Sequence, residues 1–85
     1  MEKISLSPNP VFQNSTAVLS IIAIETSIFF IEIMDEKGAV IFQKNGSLHR
    51  GQNAFSMNSP GAAGAYFIHL KFADGHSHFI RWIVD

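Results

Sequence analysis

The sequence predicts an all-β chain, an immunoglobulin-like (fibronectin III-like) antiparallel β-sandwich of about seven strands. Three observations lead there. Short runs rich in Ile, Val, Phe and Thr recur along the chain, separated by Gly, Pro, Asn or Asp every 8–14 residues or so. No stretch places its apolar residues at helical spacing. The chain has 85 residues, which is room for a single domain over 1–85 and no second core. A small closed barrel is the alternative architecture.

The elements follow in order. Residues 1–3 read as the end of a linker, and Ile4–Ser7 is a first short strand. Pro8-Asn9-Pro10 stops it, because proline has no N–H for a ladder and drives its predecessor extended, which marks an edge or a corner. Thr16–Ile24 is β-branched and apolar, and Glu25-Thr26 turns the chain into Ser27–Met34, rich in Ile and Phe. Within it Phe29, Phe30 and Ile31 make both faces apolar, as in a central strand covered by the partner sheet and by loop or edge residues, or as in a partly exposed docking patch. Asp35-Glu36-Lys37-Gly38 forms a turn, with Gly38 able to take positive φ, and Val40–Lys44 returns as the antiparallel partner.

Asn45-Gly46 is the strongest turn dipeptide in the sequence, and Gln52–Met57 is a weaker fifth strand. Asn58 to Gly64 is a loop with one proline and two glycines. Ala65–Phe72 then alternates, with Tyr66, Ile68, Leu70 and Phe72 on one face. Asp74-Gly75 closes a hairpin to a last strand, His76–Val84. A two-residue turn there would oppose Arg81 to Ile68 on the buried face. A three-residue turn with a glycine bulge brings Ile80 and Trp82 inward instead, and is preferred because burying an unpaired Arg is expensive.

Composition excludes several classes of function. The six basic residues are scattered and the net charge is −1, so the basic footprint of nucleic-acid or anionic-membrane binding is missing. With no cysteine, neither a disulfide framework nor a thiolate metal site can form. The longest apolar run, Ile28 to Met34, is broken by Glu32 and too short to span a bilayer as a helix. Met1-Glu2-Lys3 runs straight into strand-like sequence without a signal peptide, as expected of a cytoplasmic protein or of a piece of a longer precursor.

Three blocks give the chain a family likeness. They are Ser7-Pro8-Asn9-Pro10-Val11, then Ile33-Met34-Asp35-Glu36-Lys37-Gly38-Ala39-Val40, then Gly64-Ala65-Tyr66-Phe67-Ile68-His69-Leu70, followed by a hairpin glycine at Gly75 and a basic-apolar terminus. In this order and spacing they resemble the type IX secretion (Por) C-terminal sorting domains of Bacteroidetes-type bacteria, type A-like, from Ile4 to the end of the chain. The sequence departs from the pattern in three places. The segment before Gly64 lacks the usual Asp and Leu, Met34 stands where an aromatic is usual, and Asp85 ends a terminus where Lys or Arg is common.

The resemblance implies a non-enzymatic export address behind an N-terminal cargo domain. Its partners would be the outer-membrane translocon and a sortase-like peptidase that removes it, with transit through the periplasm to the medium or cell surface. No cofactor, nucleic acid or small-molecule substrate is implied. The recognition residues it suggests are Pro8, Asn9, Pro10, Asp35, Gly38, Gly64, Tyr66, Gly75, Arg81, Ile83, Val84 and Asp85. On the bare residues, Pro8-Asn9-Pro10 also reads as a strand terminator that blunts an edge, Asp35 and Gly38 as turn formers, and Gly64 and Tyr66 as a corner with the phenol on a backbone partner.

Other readings come from other classes. A fibronectin III-like binding or spacer module, for polysaccharide as one ligand class, would want exposed aromatics, and Phe67 and Phe79 are the two that fall outside core parity. A metal-binding sandwich would use His69, His76 and His78, but in the preferred hairpin register His69 faces away from the other two. No strained Gly-x-Ser-x-Gly elbow supports nucleophilic catalysis. Asn14-Ser15-Thr16 and Asn45-Gly46-Ser47 fit the glycosylation triplet, which is meaningless in a bacterial source.

Overall fold

A computed structural model describes residues 3–85. Seven strands form, and no helix is present among the described residues: β1 Lys3–Ser7, β2 Thr16–Ala23, β3 Ser27–Met34, β4 Val40–Leu48, β5 Gly51–Asn58, β6 Gly64–Phe72 and β7 Ser77–Val84. They make two antiparallel sheets, β1-β2-β5 and β4-β3-β6-β7. This is the immunoglobulin-like sandwich the sequence predicts.

Alternation drives the layering. In β2, Ala17, Leu19, Ile21 and Ala23 point inward and are buried, while Val18 and Ile22 point out. Across the core they meet Phe29, Ile31 and Ile33 of β3 and Tyr66, Ile68, Leu70 and Phe72 of β6. Trp82 on β7 is fully buried, and its indole N–H is a buried polar group with no acceptor among the described residues.

The last hairpin takes the three-residue form. Phe72 N–H donates to His76 O (2.8 Å), Gly75 N–H donates to Phe72 O (3.0 Å), and Gly75 has φ 96°. Ile68 therefore opposes Ile80 and Tyr66 opposes Trp82, while Arg81 stands opposite Phe67 on the outer face and is exposed.

One turn assignment is overturned. β4 runs on through Asn45-Gly46 to Leu48, and the chain reverses at His49-Arg50, with Gly51 at φ 105°. The reason is packing. Gly46 lies opposite Phe29, and a Cβ built on it would sit 2.6 Å from the Cζ of that ring. The glycine serves a close approach inside a strand. Asn53 holds the true turn: buried, it accepts from His49 N–H (3.1 Å) and donates to His49 O (2.9 Å).

A candidate recognition pole and an aromatic sheet face

The turn after β3, the loop between β5 and β6, the segment between β1 and β2 and the end of β7 all lie at one pole of the sandwich. Hydrogen bonds knit them together. The side chain of Asn9 acts as a piece of strand against β7, its Nδ2 donating to Arg81 O (2.8 Å) and its Oδ1 accepting from Ile83 N–H (3.1 Å). Beyond Pro10 the backbone takes over in a parallel bridge. Val11 N–H donates to Ile83 O (2.9 Å), Asp85 N–H to Val11 O (2.8 Å) and Gln13 N–H to Asp85 O (3.1 Å). Pro8 and Pro10, having no N–H of their own, leave these bonds to Asn9 and Val11 while the chain crosses from one sheet to the other.

The other two blocks reach the same pole. The Asp35 carboxylate accepts from the N–H groups of Lys37 (2.9 Å) and Ala39 (3.0 Å), and Gly38 takes φ 84°, which closes the turn. Glu36 extends from that turn to accept Ala65 N–H (2.9 Å), and a Cβ on Gly64 would come 3.1 Å from its carboxylate. Tyr66 is buried, its hydroxyl donating to Ala62 O (2.8 Å) as a tyrosine corner. Buried Ser59 ties the loop to the crossing segment, donating to Phe12 O (2.6 Å) and accepting from Ser15 N–H (2.8 Å).

Eleven of the twelve residues singled out in the sequence thus belong to this pole or to the strands entering it, and Gly75 sits at the opposite one. Pro8, Asn9, Pro10, Gly38, Arg81 and Asp85 are exposed, Asp35, Gly64 and Ile83 are half-buried, and Tyr66 and Val84 belong to the core. Glu36 and Ser59 could not have been found from sequence, because each acts on a partner brought to it by the fold.

The outer face of the four-stranded sheet has a different character. A row crosses it at right angles to the strands: Gln43, Glu32, His69, Phe79. Gln43 Nε2 donates to Glu32 Oε2 (3.4 Å), Glu32 Oε1 lies 3.3 Å from His69 Nδ1, and the imidazole stacks on Phe79 with ring centres 4.1 Å apart. The hydrogen bond from His69, and next that from Gln43, hold the Glu32 carboxyl below its ordinary value. Phe79 is 63% exposed and Phe67 37%. On the neighbouring row Phe30 is half-buried, with the Lys71 ammonium 5.9 Å from its ring centre. The outer face of the other sheet carries Ser5, Ser7, Ser20, Ala54 and Ser56 with Val18 and Ile22, edged by Lys3, Thr16, Gln52 and Asn58, and has no aromatic ring.

Among solved structures the chain is similar to an Ig-like domain, CHIR-AB1, with TM-score 0.54 and 15% identity over 99% of this chain and 97% of that one. At that identity the likeness shows the fold alone. No family model matches the sequence. No curated protein matches it either.

Against this fold the histidines separate. His69 faces outward between Glu32 and Phe79, while His78 opposes Leu70 on the other face of β7 and His76 pairs with Asp74 (2.7 Å) in the hairpin. Among the described residues no three His, Asp or Glu side chains are grouped as metal ligands.

Proposed function

We propose that the chain is a sorting domain of the type IX secretion kind. It is a folded sandwich carried behind an N-terminal cargo, read at the outer membrane by the translocon and removed by a sortase-like peptidase, with no catalysis of its own. The observation that supports this reading is the convergence of the three motif blocks, far apart in sequence, on one hydrogen-bonded pole. A folded address needs such a surface, because pre-ordered loops lose little entropy on docking. Within it, Pro8, Asn9, Pro10, Arg81 and Asp85 offer accessible contacts, while Tyr66 and Val84 hold the frame.

A secretion assay tests it. A fluorescent reporter with a periplasmic signal peptide carries residues 1–85 at its C-terminus in a host with the type IX machinery. The expected result is reporter in the medium or on the surface, lost when the translocon is inactivated. Reporter held in the periplasm with an intact translocon would sink the reading.

A second reading, a binding module, is favoured by the outer row of Gln43, Glu32, His69 and Phe79. Planar hydrogen-bonding groups beside an exposed ring suit a neutral oligosaccharide. Titration with neutral oligosaccharides followed by amide NMR would show shifts along this row, abolished by Phe79→Ala. Shifts elsewhere, or none, count against it.

A further inference from the structure

The two long sides of the sandwich are finished differently. On the β1/β7 side the chain seals itself: the Val11 segment adds to the β7 edge and Val11, 2% exposed, plugs the gap between the sheets. On the β4/β5 side the sheets are joined only at one end, by the His49-Arg50 turn, and no described segment adds to either strand's edge. A groove runs there between the two bare edges, with Phe29, Phe55 and Met57 on its floor and β4 as its wall. The inward side chains of β4 are Phe42, Lys44, Gly46 and Leu48, of which Leu48 alone is buried. Val40, Ile41 and Phe42 are 47%, 48% and 46% exposed.

A bare strand edge of this length beside an apolar groove is a template for strand addition unless something blocks it. Two protections are present. A register shift at Ile33/Met34 disturbs the first residues of β4, leaving Phe42–Leu48 regular. In the middle of that regular run, Lys44 points inward. It makes no ion pair among the described residues, and no acidic side chain lines the groove. A neutral strand laid on β4 would cover that ammonium without a partner, and a second β4 would bring a second lysine to the same strip. A strand with a carboxylate facing the groove would pair with it.

We infer that the β4 edge is a selective strand-addition site for an extended, apolar segment of a partner protein that carries an inward-facing acidic residue. Lys44 is the selector. It refuses neutral and basic strands and pairs with an acidic one, the repulsive element being as important as the attractive one. The apolar floor supplies burial and the free edge of Phe42–Leu48 supplies the ladder.

Peptides of about eight residues, alternating valine and threonine around a central aspartate or a central lysine, test this against isotope-labelled protein by NMR. The expected result is binding of the aspartate peptide with shifts confined to β4 and β5, alternate β4 amides gaining protection from exchange. The aspartate form should bind at least about tenfold tighter than the lysine form. Lys44→Glu, an exposed charge swap, should reverse that order. The inference falls if neither peptide binds, if Lys44→Glu leaves the preference unchanged, if the shifts lie on another edge, or if the protein instead pairs with itself through β4. It stands apart from the export reading, since the titration can fail while the reporter is secreted, and the reverse.

Discussion

At the residue scale, Glu32 and Asp74 are the charged groups whose surroundings predict a pH response. The Glu32 carboxyl is held below the ordinary value by His69 first and Gln43 second, and Asp74 is lowered likewise by the backbone N–H and then the ring of His76. A carboxyl that is more acidic folded than unfolded adds stability that is fully present above its unfolded pKa, about 4. That stability is lost as the pH falls through the folded value. Unfolding free energy should therefore be level near neutrality and decline below about pH 4.5. Glu32→Gln should lower the plateau and flatten the acid slope, read by urea denaturation at neutral pH and in steps below it. An acid slope identical to that of the parent would mean the Glu32–His69 contact carries no linkage.

At the element scale, β4 is where sequence and fold part company. Asn-Gly between strand-like runs is a hairpin signal on local grounds. Here the next four-residue stretch, Gly46–His49, had to be long enough for Leu48 to reach the core, where it is 1% exposed. Strand length was decided by burial and by the ring of Phe29, neither of which local turn chemistry senses. Gly46→Ala separates the two assignments. In a turn with positive φ the change would strain the backbone; in this strand φ is ordinary and the cost is the push against Phe29, which also packs on Phe55 at 5.1 Å. Overpacking of that size costs about 1–3 kcal/mol. Phe29→Leu in the same chain should recover part of it, by thermal unfolding. An additive double variant would count against the contact.

At the scale of the whole molecule, the end of β7 is shared by both sheets. Ile83 and Asp85 pair with the Asn9–Gln13 segment, Val84 is 2% exposed in the core, and Val84 opposes Gly64 at the start of β6. Removing Ile83–Asp85 strips an inward residue and the seal of one seam together. In a chain whose total stability is on the order of 5–10 kcal/mol, that loss should unfold it. Circular dichroism of the shortened chain should show no cooperative melt, and its failure to be exported would then report unfolding. Arg81→Glu, on an exposed side chain, probes recognition at the same place with the fold retained. A shortened chain that melts cooperatively near the parent's temperature would overturn this account of the pole.

The sequence by itself determined the layers. Period-two alternation in β6, the β-branched apolar run of β2, the glycine at Gly75 and the cost of burying Arg81 were enough for the all-β class, the strand count and the register of the last hairpin, because each is a local preference or a choice between two faces. The candidate pole was visible as three separate blocks, and Tyr66 announced its backbone partner through the turn that precedes it. Only the tertiary structure decided that Asn9 stands in for a strand against β7, that Glu36 reaches Ala65, that Gly46 makes room for Phe29, and that one seam is sealed while the other is open. Each of these joins residues distant along the chain, and the partner of a side chain becomes fixed when the sheets have packed.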